Sequence, residues 1–457
     1  MSLSALEIAR QIRSGETSAA TVLAQARARI EARDGDLNCF TARTFERAQR
    51  EAEQIDARRT HGESLPPLAG VPYAVKNLFD VEGLATLAGG KVNADSPPAR
   101  EDAYLVARMR EAGGLLVGAL NMDEHAYGFT CENTHYGATR NPHDPGRVSG
   151  GSSGGSAAAV GAGMVPVSLG SDTSGSIRVP ASFCGVFGLK PTYGRLSRSG
   201  CFPFVDSLDH VGPFARTAGD LAATYDVLQG QDRHDHASAQ RDVEVVGNIP
   251  ELHPAARIGI LGGWFQDWAG QAARRAVQMA ADALGATQWC ELHGAADARA
   301  AAFVITGAEG GELHRRKLQA RYDEFEPASR DRLVAGSLIP ASWVIRAQQV
   351  RRQVYLEALQ LFGRFDVLLA PAAPDVAPHL GSETFTINGR TVPTRATLGI
   401  LTQPLSCIGL PACAAPLWPD GAGLPVGVQL IAAPWREDLC LAAAAQLERA
   451  GIAHARI

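Results

Sequence analysis

Strand-like and helix-like segments alternate along this chain and predict an α/β fold: a large, largely parallel or mixed β-sheet sandwiched between layers of helices. Three observations carry that prediction. Short apolar runs read as buried strands: GVPYAVKNLFD (70–80), LLVGAL (115–120), ARIGILGG (256–263), FDVLLAPA (365–372) and LPVGVQLIAAP (424–434). Between them lie stretches with apolar residues at helical spacing. The chain has 457 residues, 46% of them hydrophobic and 20% charged, enough to bury a large core as one big domain or two fused ones.

Taken in order, residues 3–60 read as helices, with Glu16-Thr17-Ser18 starting the segment AATVLAQARARIEAR. Residues 70–80 form a strand, a helix spans about 102–113, and a strand covers 115–120. The block 156–163 is helical and 164–171 a strand, and a helix opening near Ser176 is cut short by Pro180. The polar, turn-rich segment 229–255 reads as a linker or long surface loop. Beyond it come a strand at 256–263, a helix near 270–284, a strand in AAFVITG (301–307), helices across 311–362, strands at 365–372 and 424–434, and a helix at 436–450. Pro404, Pro411, Pro416 and Pro419 with Gly409 and Gly421 mark a loop-rich stretch.

Composition excludes several classes. A formal net charge of −5 argues against nucleic acid as the main ligand, which needs clustered Lys and Arg. The nearest basic cluster, IRAQQVRRQ (345–353), reads as a solvated helix face. No segment is long and apolar enough to span a bilayer, and the N-terminus lacks a signal-peptide layout. Eight scattered cysteines without a CxxC pair fit a reduced, cytoplasmic protein. His125, His135 and His143 follow no usual metal-ligand spacing, so neither metal nor cofactor is expected.

The chemistry concentrates in 150–180, GGSSGGSAAAVGAGMVPVSLGSDTSGSIRVP. Hydrolysing an amide requires an activated nucleophile, donors for the oxyanion and an acid for the leaving amine. Ser176 sits on a glycine-flanked turn that opens a helix, so its oxygen is exposed to reagents. The backbone N–H groups of Thr173, Ser174, Gly175 and Ser176 are candidate oxyanion donors. A base is harder to supply. A free lysine, with a pKa of about 10.4, is neutral at pH 7 in a fraction of order 0.001. Lys76, embedded among Val71, Pro72, Val75 and Leu78, is placed to be neutralised by burial, and a serine of GGSSGG could relay the proton. Alone, GGSSGG would be a flexible turn. A phosphate cradle is excluded because no Gly-Lys-Ser/Thr follows. Asp172 and Arg178 read as an ion pair bracing the loop, and His210 as structural.

GVPYAVKN, GGSSGGSAAAVGAG and DTSGSIRVPA, in that order, identify the chain as a member of the amidase signature family, with similarity from about residue 3 to about 445. The resemblance implies Ser176 as nucleophile, Ser152 as bridging serine after a cis Gly151–Ser152 bond, and Lys76 as base. It also implies a single amidase domain over 1–457, with N-terminal helices 1–60, a signature core 61–228, the polar loop 229–255 and a C-terminal portion 256–457. The implied activity is amide hydrolysis through an acyl-enzyme, deaminating 1-carboxybiuret to urea-1,3-dicarboxylate and ammonia in cyanuric acid degradation. The alternatives are a glutamine-dependent amidotransferase A-type subunit, which 121–160 also resembles, or a broader amidase. The region where that subunit places a substrate-recognising Asp, ATLGILTQPLS (396–406), has no acidic residue. Arg332 is the candidate for gripping a substrate carboxylate. Ser174 and Asn77 stand where many members have Gly and Asp, so a narrower pocket and a more readily neutral Lys76 are expected. The expected partners are further copies of the chain and a small helical protein resembling the amidotransferase C-type subunit.

Overall fold

The apolar runs assemble into one eleven-stranded sheet. The computed structural model describes residues 4–247, 249–419 and 423–457. Its strands, in chain order, are β1 (Phe40–Arg43), β2 (Pro72–Lys76), β3 (Leu115–Leu120), β4 (Glu132–Asn133), β5 (Gly137–Ala138), β6 (Val167–Ser171), β7 (Phe187–Lys190) and β8 (Val211–Ala215). They continue as β9 (Ile258–Leu261), β10 (Gln288–Cys290), β11 (Val367–Pro371), β12 (Thr384–Ile387), β13 (Arg390–Pro393), β14 (Ala412–Leu417) and β15 (Val426–Ile431). The large sheet runs β1-β3-β2-β6-β8-β7-β14-β15-β11-β9-β10, while β4/β5 and β12/β13 form two small pairs. The sheet is mixed: β3, β2 and β6 are parallel, as are β11, β9 and β10, and the strands between them pair antiparallel. Every residue of β2, β3, β6, β8, β11, β14 and β15 is buried, so both faces of the sheet are covered.

Several expectations need correcting. Residues 3–60 are not all helical. Ala5–Ser14 ends at Gly15, Ser18 caps Ala19–Leu37 by accepting from the Thr21 N–H, and β1 intervenes before Phe45–Thr60 to pair antiparallel with β3. AAFVITG is not a strand but part of the helix Ala295–Arg321, because a short apolar run does not reveal its period. The buried residues Ala298, Ala301, Ala302, Ile305 and Thr306 form its apolar side. The helix near Ser176 starts at Arg178 and runs to Cys184 through Pro180, which sits in the first turn, where a backbone donor has no intrahelical acceptor. The proline-marked stretch contains β14, fully buried between β7 and β15, besides the short helix Gln403–Cys407. Gly421, Asn248 and residues 1–3 lie outside the described residues. β7, β8 and the helix Ala218–Leu228 were not expected at all.

The polar segment carries no helix or strand among its described residues, but it is anchored. Arg198 pairs with Asp235 at 3.0 Å, and Asp232 accepts from Ser197 at 2.5 Å.

The helix Ala295–Arg321 meets Pro327–Gly336 through glycines. A Cβ on Gly336 would lie 2.1 Å from the Gly307 carbonyl oxygen. Gly336→Val is therefore expected to destabilise the chain by about 1–3 kcal/mol through overpacking. This reads out as a lower urea midpoint at unchanged slope; an unchanged midpoint would contradict the close crossing.

Candidate active site

Two parallel strands and two loops converge at one end of the sheet. Lys76 is the last residue of β2 and Ser171 the last of its neighbour β6, so both emerge at carboxyl strand ends, where α/β sheets place ligands. The helix Gly154–Gly161 begins immediately after Ser152 and Ser153. Gly154 and Gly155 let it seat closely: added Cβ atoms would lie 2.4 Å from Cys131 Cβ and 2.6 Å from the Asn121 carbonyl oxygen. The Gly151–Ser152 bond is cis.

The Lys76 amine lies at hydrogen-bond distance from three hydroxyls: Ser152 Oγ at 2.7 Å, Ser171 Oγ at 2.9 Å and Ser153 Oγ at 3.0 Å. Ser153 Oγ also donates to the Ser171 carbonyl, and the Ser153 N–H donates to the Ser176 carbonyl. Lys76 is fully buried. Burial is the main cause that pushes its pKa down to about 7, opposed first by the negative charge of Asp123. Hydroxyls both donate and accept, so this surround suits a neutral amine as well as an ammonium. Asn77 donates to Thr41 Oγ1 and accepts from the Gly89 N–H. The carboxylate nearest in influence on Lys76 is thus Asp123, from a different segment.

Asp172 organises the loop that carries Ser176. It accepts from the Gly175 N–H at 2.7 Å, the Ile177 N–H at 3.2 Å and Arg178 in a bidentate pair at 3.0 Å. Both charged groups are fully buried. Burial opposes ionisation of Asp172, but the Arg178 charge and hydrogen bonds outweigh it and hold the carboxyl well below its ordinary range. Arg178 is satisfied further by Gln429 Oε1, the Thr402 carbonyl and Ser406 Oγ. Gly175 has φ +136°, and a Cβ there would lie 2.0 Å from Thr402 Oγ1, so the turn admits glycine alone. The expected set of four oxyanion donors is corrected accordingly. The Gly175 N–H is committed to Asp172, while no backbone acceptor is found among the described residues for the N–H groups of Thr173, Ser174 and Ser176.

Ser176 opens onto a narrow cavity of about 30 Å³, lined also by Tyr127, Ser174, Arg332, Arg395 and Gln403. The Arg332 guanidinium lies 3.6 Å from the centre of the Tyr127 ring and has no carboxylate partner among the described residues. Arg395 reaches the same cavity while bonding the Glu132 carbonyl at 3.0 Å and Glu326 at 3.4 Å. Sequence reasoning missed Arg395 and Gln403. Gln403 lies in the segment 396–406 that lacks an acidic residue, and Arg395 immediately precedes it.

His125, His135 and His143 each have partners of their own. His135 meets Glu124 at 3.2 Å, and His143 lies 2.9 Å from the Cys184 carbonyl. His125 packs against His314 with ring centroids 4.1 Å apart and the rings tilted by 37°. No group of three or more metal-ligating side chains occurs among the described residues.

A loop carrying Ser176 and a buried lysine bonded to three serine hydroxyls, at the carboxyl ends of two parallel strands, fit an amide-hydrolysing C–N hydrolase. The chain belongs to the amidase family, whose profile matches residues 21–441. It is 56% identical over 450 residues, 98% of each chain, to AtzE, a 1-carboxybiuret hydrolase subunit of Pseudomonas sp. (strain ADP). The A-type subunit of the glutamyl-tRNA(Gln) amidotransferase of Lachnospira eligens is 34% identical over 98% of each chain. A solved structure superposes with a TM-score of 0.98 at 55% identity over the full length of both chains. It was described as an unexpected vestigial protein complex that reveals the evolutionary origins of an s-triazine catabolic enzyme. No helix among the described residues is long and apolar enough to cross a membrane.

The packed pair His125 and His314 gives the fold an acid-sensitive point. Both are buried, and neither His125 nitrogen nor His314 Nε2 has a hydrogen-bond partner among the described residues. Burial, then the neighbouring cations, lowers both pKa values, that of His314 to about 4. The unfolded chain therefore binds protons more readily below about pH 6.5, and stability falls as pH drops from there towards 4. The variant His125→Phe/His314→Phe should lose less urea resistance between those limits than the parent; parallel curves would contradict this.

Proposed function

We propose that the chain hydrolyses the terminal carbamoyl group of 1-carboxybiuret, giving urea-1,3-dicarboxylate and ammonia. In this reading Ser176 Oγ attacks the carbonyl carbon, and its proton passes through Ser152 to a neutral Lys76. The oxyanion is held by the N–H groups of Thr173, Ser174 and Ser176, which have no backbone acceptor among the described residues. The C–N bond breaks, the proton returns to the nitrogen, and ammonia departs. Water then attacks the acyl-enzyme, again by way of Ser152 and Lys76.

The observation that carries the substrate class is Arg332. It is an arginine on the wall of the Ser176 cavity, without a carboxylate partner among the described residues, and so suits an anionic substrate. The 56% identity to a 1-carboxybiuret hydrolase subunit supports the particular anion. Ala396 and Gln403, from the segment where an amidotransferase A-type subunit is expected to carry a substrate-recognising Asp, line the same cavity without a charge. That disfavours glutamine, whose ammonium would lack a counter-charge. The Ser174 side chain on the cavity wall fits a small substrate.

The chain is further read as a cytoplasmic protein, consistent with eight unpaired cysteines, that self-associates and works with a small helical partner. The complex described for its structural relative supports a partner. Leu338, Trp343 and Ile345, 77%, 60% and 61% exposed, offer apolar surface for such contacts.

Ammonia release from carboxybiuret generated in situ, biuret, glutamine and an aliphatic amide tests the assignment. Selective release from carboxybiuret is expected, reduced by at least about 10³-fold in Ser176→Ala. Arg332→Ala should raise KM by about tenfold or more with little change in kcat. Release mainly from glutamine would overturn the substrate, and an unchanged KM would remove Arg332 from the site.

The pH dependence follows from the buried amine. Protonated Lys76 has no lone pair to accept a proton, so kcat/KM should rise with pH through one ionisation near 7. A profile flat from about pH 5.5 to 8.5 would exclude Lys76 as the base.

A further inference from the structure

Gln403, the first residue of the short helix Gln403–Cys407, lies on the wall of the Ser176 cavity with Arg332 and Arg395. Its backbone is tied to the loop that carries Ser176. The preceding residue, Thr402, donates from Oγ1 to the Ser174 carbonyl at 2.8 Å, and its own carbonyl accepts from Arg178.

The side chain is fixed by a separate contact. Arg299, on the long helix Ala295–Arg321, donates from Nε to Gln403 Oε1 at 3.1 Å and from Nη2 to the Ala396 carbonyl at 3.2 Å. Phe303, one turn further along that helix, holds its ring centre 4.8 Å from the same guanidinium and also lines the cavity. A guanidinium only donates, so the atom that faces it is the amide oxygen of Gln403. The other end of the amide, Nε2 with two N–H groups, is thereby turned away from Arg299. Nε2 has no protein partner among the described residues, yet it is not one of the side-chain atoms buried without a partner. Gln403 keeps 4% of its surface accessible. A donor on this wall is therefore open to whatever occupies the cavity. The charge of Arg299 on Oε1 polarises the amide and strengthens that donor.

We infer that Gln403 Nε2 is a specificity-determining donor that holds the carbonyl oxygen lying between the scissile carbamoyl group and the carboxylate of the substrate, with Arg299 as the positioning residue that sets the amide's orientation. The inference rests on the reading of the substrate as 1-carboxybiuret. In that reading the outer acceptors are taken: the scissile carbonyl oxygen by the backbone N–H groups of the Ser176 loop, the carboxylate by Arg332. The middle carbonyl is left. Arg395, another donor on this wall, is already engaged by Glu326 and the Glu132 carbonyl, whereas Gln403 Nε2 is uncommitted. A neutral amide also does not compete with Arg332 for the carboxylate, so the substrate is bound in one direction. An amide with a methylene in place of that carbonyl would leave Nε2 desolvated and unpaired, which costs binding.

The test separates the two grips by substrate structure. Biuret carries the carbonyl beside the scissile group but no carboxylate. Glutaramate carries the carboxylate at the same chain separation as carboxybiuret, with methylenes replacing the middle carbonyl and its flanking nitrogens. For the full chain with whatever partner accompanies it, kcat/KM is measured on each, or, for an amide that is not turned over, Ki as protection of Ser176 from a fluorophosphonate. In Gln403→Met the preference for biuret over glutaramate should fall about tenfold, and in Arg332→Ala it should rise by a like factor. Arg299→Met should lower the preference by less, and add nothing to Gln403→Met when the two are combined. An unchanged preference in a Gln403→Met enzyme whose Ser176 is labelled at the parent rate would overturn the inference. An unchanged preference in Arg299→Met would remove Arg299 from it. A parallel loss on biuret, glutaramate and fluorophosphonate labelling would make both residues structural braces only. The substrate reading is decided separately, by whether the parent prefers carboxybiuret to glutamine; if it fails, biuret against glutaramate still decides the donor.

Discussion

An amine kept from water constrains this structure more than any other group. A lysine at the end of an exposed strand would be an ammonium at neutral pH; Lys76 is fully buried, and its pKa is depressed to about 7. Such burial is tolerable only if the nitrogen keeps its hydrogen bonds. The three hydroxyls that satisfy it come from β6 and from the loop ahead of the helix Gly154–Gly161, so two segments must be fixed relative to β2. The small residues of that helix, and the covering of the sheet on both faces, serve that requirement.

The second constraint is a buried charge pair used as a brace. Removing Asp172 and Arg178 from water is costly, and only their bidentate contact and the further bonds to Gln429, Ser406 and Thr402 offset it. In return, one carboxylate fixes the backbone on both sides of Ser176 through the Gly175 and Ile177 N–H groups. The same bonds take Gly175 out of the oxyanion set. Loop rigidity and donor number therefore compete for one N–H, and here rigidity takes it.

The charges around Ser176 are distributed unevenly. Asp123, behind Gly128 and Gly151, raises the lysine pKa against the larger effect of burial, and its own carboxyl is pushed up by burial with Arg395 opposing. Arg395 is thus partly neutralised by Asp123 and Glu326, whereas Arg332 lies over the Tyr127 ring with no acid to balance it among the described residues. Two arginines on one cavity wall are therefore not equivalent towards an anion.

The sequence by itself determined the α/β class and most strands with long apolar runs, and it singled out the candidate site residues. Lys76, Ser152 and Ser176 lie in segments whose glycine, serine and apolar pattern is local and so readable without a fold. It did not reveal β7, β8 or β14, nor that AAFVITG is helical, because a short buried run has no visible period until its neighbours are known. Only the tertiary structure brought Asp123 rather than a residue adjacent to Lys76 into play, occupied the Gly175 N–H, and placed Arg395 and Gln403 beside Ser176. It also left His210 Nε2 without a partner among the described residues. Each depends on contacts between residues far apart in the chain, where distance and desolvation, not residue type, set the chemistry.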